Sequence, residues 1–173
     1  MKNITKVFVA ATLALGFSNS SFAQSTATAS ASATIITPIS ITKTIDLNFG
    51  NIAVSATTGG TVILDATGSR TTGGGGGVTL PATTGTVAAA SFDVAGAASF
   101  TYAITLPSSV VTITSGSNSM DVTSFTSIPS ATGTLSTGGT QTLTVGATLA
   151  VAAGQAPGSY TNATGIPVTV NYN

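Results

Sequence analysis

From Ala27 to Phe49 nearly every odd-numbered residue is apolar (Ala27, Ala29, Ala31, Ala33, Ile35, Ile39, Ile41, Ile45, Leu47, Phe49), while the even positions are mostly Thr, Ser, Asp or Asn. Successive side chains of a β-strand point to opposite faces, so a period of two marks one apolar face of a very long extended run. Thr37 and Lys43 interrupt the apolar register, and Ile36 and Pro38 the polar one, without changing its phase. At about 3.3 Å per residue the run would reach roughly 75 Å. A domain of about 150 residues has a radius of gyration of about 15 Å, hence a diameter of roughly 40 Å. The run therefore has to divide near Pro38. Either the chain turns back there, or its first half leaves the domain and pairs elsewhere.

Ahead of that run, residues 1–23 carry Lys2 and Lys6, an apolar stretch from Val7 to Phe17, and small residues at Ser21 and Ala23. This is the pattern of a secretory signal peptide, with an apolar part too short to span a bilayer and a mature chain expected to begin at Gln24. The expected organisation is a signal peptide over 1–23, an amino-terminal extension over 24–37 and one β-domain over 38–173. No later segment is long and apolar enough to form a transmembrane helix, so no membrane span is expected in the mature chain.

Beyond the leader, the charged side chains are Lys43, Arg70, Asp46, Asp65, Asp93 and Asp121, a formal −2. So weak a field attracts neither nucleic acid nor an anionic membrane. There is no cysteine, so stability has to come from packing and strand pairing although an exported protein could form disulfides. Thr, Ser, Ala, Gly and Val dominate; β-branched side chains crowd a helical turn and suit a pleated sheet. An all-β chain is expected.

Apolar runs recur after the long alternation, predicting strands near Thr61 to Ala66, Gly77 to Leu80, Thr86 to Val94, Ser99 to Leu106, Val110 to Thr114, Met120 to Thr126, Thr140 to Val151 and Ile166 to Tyr172. Turn residues separate them, among them Gly59-Gly60, Pro107-Ser108 and Pro157-Gly158. Strands at this spacing predict an immunoglobulin-like β-sandwich. A β-solenoid is the competing architecture, but it needs a fixed repeat, and Gly, Asp and the aromatic residues keep no constant period. The run Gly73 to Gly77 is followed by Val78-Thr79-Leu80-Pro81 and not by the Lys-Ser/Thr pair and helix of a phosphate loop, so a mobile hairpin tip is expected there. Asn162-Ala163-Thr164 is a glycosylation sequon of a kind that arises by chance in Thr-rich chains.

The chain has no His, Cys, Glu or Trp. Nucleophilic catalysis needs a base beside its Ser, Thr or Cys, and no Ser-His-Asp or Cys-His set can be assembled. A carboxylate pair for glycoside hydrolysis would have to come from four Asp residues far apart in sequence, each better suited to a turn or strand end. Without imidazole or thiolate, transition-metal sites fail too, and no Asp-x-Asp-x-Asp loop offers a calcium site. No enzyme activity, no cofactor and no metal is expected.

Soluble β-proteins ordinarily guard their edges with Lys, Pro or bulges, because an open ladder of N–H and C=O groups recruits other strands. One Lys in the whole mature chain suggests that strand addition is used, most simply for polymerisation. At the carboxyl end Ile166, Val168, Val170 and Tyr172 alternate with Pro167, Thr169 and Asn171, predicting a strand that runs to the last residues.

The Ile-rich amino-terminal strand leading to Leu47-Asn48-Phe49-Gly50, the Gly158-Ser159-Tyr160 turn and the closing Val168-Thr169-Val170-Asn171-Tyr172 resemble the secreted bacterial β-proteins of the family called domain of unknown function 4402. More distantly the chain resembles the pilins of the chaperone–usher type, from which it departs in having no cysteine pair and in where Gly158 stands relative to its end. The pilin resemblance implies that an alternating extension completes the sandwich of the neighbouring subunit, and that a closing strand with a penultimate aromatic binds an assembly chaperone. Carried over residue by residue, it makes Ala27, Ala29, Ala31, Ala33 and Ile35 the donor strand, and Val168, Val170 and Tyr172 the chaperone contact. The implied partners are further copies of the same chain, a periplasmic chaperone and an outer-membrane assembly protein.

Small Ala side chains followed by a large Ile suit a strand that slides along a groove and anchors at one deeper pocket. The extension could instead pair within its own domain, or be a flexible leader. The leading expectation is a structural subunit of an extracellular or cell-surface fimbria that polymerises by donating its amino-terminal strand. The alternative is a monomeric surface module that binds carbohydrate or ice through Thr-rich strands such as Thr112-Ile113-Thr114 and Thr142-Leu143-Thr144.

Overall fold

The computed structural model describes residues 24–173; the leader expected over 1–23 lies outside them. The chain divides into two units, the first ending at Thr34 and the second running from Ile35 to Asn173. In the first, residues 24–34 form no strand and every one is exposed. The second holds β1 (Ser40–Ile45), β2 (Ala53–Val54), β3 (Gly60–Leu64), β4 (Arg70–Gly73), β5 (Val78–Thr79), β6 (Ala90–Ala95), β7 (Thr101–Thr105), β8 (Val111–Ser115), β9 (Asn118–Ile128), β10 (Thr132–Thr134), β11 (Thr140–Val151) and β12 (Thr169–Tyr172). There is no helix among the described residues, as the Thr- and Val-rich composition predicts.

The organising element is β11. Its odd residues Leu143, Val145, Ala147, Leu149 and Val151 are all buried, the period-two pattern of a strand with one face in the core. Thr144 and Val145 pair both with β6 and with β9, so those two strands lie on opposite edges of β11. Residues Ala147 to Val151 then pair with β3 on the edge that β6 has left. With β1 beside β6, β4 beside β3 and β8 beside β9, a curled seven-stranded antiparallel sheet results. A second sheet has the order β10-β7-β12, and β2 pairs with β5 in a third.

Two apolar clusters fill the interior, one at each half of β11. In the first-half cluster, Phe92, Val94, Leu143 and Val145 of the large sheet meet Tyr102, Leu135 and Val170 of the strands and loop opposite, with Ile39 and Ile41 packed against them. In the other, Val62, Leu64, Val122, Ala147, Leu149 and Val151 meet Phe49 and Val78. Full burial of one such aliphatic side chain contributes about 2 kcal/mol. Tyr102 has no exposed surface; its hydroxyl donates to Gln141 Oε1 at 2.8 Å, which also accepts from the Thr134 N–H at 2.9 Å. Among the described residues no buried side-chain polar atom lacks a partner.

In β9 the inward phase changes from even (Met120, Val122) to odd (Phe125, Ser127), which a regular strand cannot accommodate with one face buried. The register against β11 shifts between Gly146 and Thr148, and Ser124 takes a positive φ of 51°. One extra residue turns the strand over, the function of a β-bulge, so Phe125 again packs against both clusters.

The strand expectations between Thr61 and Val151 each overlap an observed strand, and the one over Thr140 to Val151 has the same bounds. The long amino-terminal run is a strand only over Ser40–Ile45, and the closing one only over Thr169–Tyr172, because Pro167 has no N–H to give a ladder. The strands β2, β4 and β10 have no apolar alternation and were not expected; neighbouring strands recruit them. The glycine run is not a hairpin tip: β4 pairs with β3, and β5 with β2. Gly77 packs so tightly on Thr58 that a Cβ there would collide with the Thr58 carbonyl.

Candidate functional site

The second half of the core is incompletely covered. Along β8 and β9 the inward residues Val111, Ile113 and Met120 are only half-buried, although their neighbours Val122 and Leu149 on the same face are 1% exposed. Register explains the alignment: Val111 faces Val122, which faces Leu149, and Ile113 faces Met120. These residues form the floor of a groove of about 1360 Å³. One wall is the segment from Lys43 to Val54, the other the loop from Gln155 to Ile166. Ile45, half exposed at 50%, stands on the rim because the β1–β6 register slips between Lys43 and Ile45.

Both walls are held from behind. Asn48 exchanges two backbone hydrogen bonds with Ala88, at 2.8 and 2.9 Å, and the Asn51 N–H donates to Thr84 O at 2.7 Å. The Arg70 guanidinium donates to the Phe49 and Asn51 carbonyls, so this cation is a structural clamp. In the opposite wall Tyr160 donates to Ala156 O at 2.7 Å and accepts from Gln155 Nε2 at 2.8 Å. Thr161 and Thr114 exchange backbone hydrogen bonds at 2.9 and 3.0 Å, tying this loop to the edge of β8. The sequon residue Asn162 is part of the same tie. Its Nδ2 donates to Thr112 O at 3.0 Å, and its Oδ1 accepts from Thr164 and Gly165.

The charged groups are dispersed. Lys43 pairs with Asp46, Asp93 accepts from Thr142 and Asp121 from Thr112. Asp65 accepts from the Thr67 hydroxyl and from the N–H groups of Thr67 and Ser69. These bonds, the Thr67 hydroxyl foremost, hold its carboxyl below the usual carboxylate range. Among the described residues no three Asp side chains gather as a metal site would need. Thr112 and Thr114 align with Asp121 and Ser119, and Asp121 aligns with Ala150 of β11, far along that strand from Thr142 and Thr144. The two Thr pairs therefore do not merge into one array.

Of the residues expected to donate a strand, Ala27, Ala29, Ala31 and Ala33 are exposed and form no strand, and Ile35 is 98% exposed. The carboxyl-terminal set is brought together. Val170 is buried, while Val168 and Tyr172 pack against the same cluster. The Tyr172 hydroxyl accepts from the Ala97 N–H at 2.6 Å and donates to the Thr37 carbonyl at 2.8 Å, and its ring meets Phe100 edge to face at 5.8 Å. The groove floor was not singled out from sequence, because Val111 and Ile113 read like any half-buried strand. The available signal was the density of apolar residues at Ile45, Leu47, Phe49, Ile52 and Val54, more than one short strand uses.

No curated protein and no solved structure matches the chain. The family model described as Domain of unknown function (DUF4402) matches residues 39–172, which takes in all twelve strands and begins just after Pro38. With most of its length under that match, the chain belongs to this family of domains of unknown function.

Proposed function

We propose that the protein is a structural subunit of an extracellular filament, built on an immunoglobulin-like sandwich, and that Ala27 to Ile35 is the strand it donates to a neighbouring copy. The observation that supports donation is the state of the extension: a run with the alternation of a half-buried strand is exposed at every residue from Gln24 to Pro38 and forms no strand in its own chain. Burying Ile35 on a partner would contribute about 2 kcal/mol, and main-chain pairing would add to that. A subunit that gives a strand at one place and takes one at another forms a heterologous contact, which propagates as a fibre when the rotation does not close. Secretion to the cell surface, and handling by a chaperone and an outer-membrane assembly protein, belong to the same proposal.

Electron microscopy of the mature chain, with and without Gln24 to Thr37, tests it. Filaments are expected from the full mature chain and none from the shortened one. Filaments of the same form from both would overturn the proposal. Ile35→Lys should also abolish or weaken assembly, because it would carry an unpaired charge into an apolar site.

A further inference from the structure

We infer that the groove over β8 and β9 is the acceptor for Ala27 to Ile35 of a second copy of this chain, an assignment that rests on the donation proposed above. The groove has the chemistry of a missing strand. Val111, Ile113 and Met120 lie on the core face of the large sheet with no layer closing over them. Its volume of about 1360 Å³ exceeds the roughly 300–1,000 Å³ typical of small-molecule sites. Its walls are two stretches of chain, Lys43 to Val54 and Gln155 to Ile166, with no strand ladder between them among the described residues, which leaves room for an added strand.

Charge and size agree. The only charged lining groups are Lys43 and Asp46, and they neutralise each other. Residues 24–38 carry no charged side chain. Nine residues from Ala27 to Ile35 span about 30 Å when extended, and their alternating Ala side chains let a backbone approach a floor of Val, Ile and Met closely.

Tyr172 holds the Thr37 carbonyl ahead of β1, whereas the β1 residues that line the groove are Lys43 and Ile45, the nearer of them about 20 Å along the chain from Thr37 for six extended residues. Doubling back would need a tight reversal, and residues 35–39 contain neither turn nor bend. Between Gln24 and Phe49 there is no glycine to take the positive φ that short hairpin loops require. Thr37, preceding a proline, is itself restricted to extended conformations.

The absence of cysteine allows direct mapping in the full mature chain. One variant carries Ala31→Cys, and a second, of different mass through a tag, carries Val111→Cys, Ile113→Cys or, as a control outside the groove, Ile128→Cys. Mixed, assembled and oxidised, the groove variants should give a disulfide-linked heterodimer, and the control should give none. A peptide of residues 24–37 with a photo-crosslinker in place of Ala31, added to the mature chain, should label the β8–β9 floor. Filaments that need residues 24–37 yet give neither the heterodimer nor the label on the floor would overturn the acceptor assignment and leave donation standing. An Ala31→Cys/Ile113→Cys double variant that closes only within one chain would overturn it in favour of self-pairing. Filaments that form without residues 24–37 would remove donation itself.

Discussion

Tyr172 and Asp65 each hold backbone groups in place, Tyr172 across the chain and Asp65 within its own turn. The Tyr172 hydroxyl bridges Ala97 and Thr37, groups 75 and 135 residues away, so Tyr172→Phe removes two hydrogen bonds while keeping the ring on Phe100. Thr37 is exposed and Ala97 half-buried, and a loss of about 1 kcal/mol is expected in urea unfolding, with faster hydrogen exchange at Ala97. If Tyr172 also met a chaperone, that contact would have to compete with this bridge. Asp65 is held as a carboxylate by Thr67 and Ser69. A depressed native pKa means that the unfolded chain takes up its proton first as pH falls. The stabilisation is therefore complete above the ordinary Asp value of about 3.9 and is lost as pH drops through the lower native value. Thr67→Ala should raise the Asp65 titration midpoint in NMR, and Asp65→Asn should flatten the acid limb of stability against pH.

At the scale of the element, β11 was legible in full and β1 was not, and the contrast has a physical origin. Nine residues of unbroken apolar alternation from Leu143 to Val151 commit one face of β11 to the core wherever its partners lie. Leu143→Ala should therefore cost about 2–5 kcal/mol, since it opens a cavity between the sheets, and calorimetry of the variant would register it. The longer alternation from Ala27 to Phe49 becomes strand over only six residues, because period two reports the capacity to pair and not the presence of a partner. In β9 the phase change was visible as apolar residues at Met120 and Val122 and then at Phe125. That a bulge at Ser124 resolves it depends on the register β11 imposes. The short strands Arg70–Gly73 and Thr132–Thr134 exist only because β3 and β7 offer open edges.

For the molecule as a whole, the near absence of charge makes a testable difference to assembly. Neither Ala27 to Ile35 nor the groove brings a net side-chain charge to the proposed contact, so the rate of filament growth should change little as ionic strength rises from about 0.01 M to about 1 M, over which the screening length falls from roughly 30 Å to roughly 3 Å. Light scattering during assembly would measure it, and a steep fall with salt would point to electrostatic steering and a different interface. The sequence by itself determined the all-β class and the strand phases around Leu143 to Val151. It could do so because these follow from local sterics and side-chain periodicity. Only the tertiary structure decided where cover over the core is missing. Val111 and Ile113 carry the same pattern as any buried strand, and their exposure depends on chain 40 to 70 residues away failing to close above them.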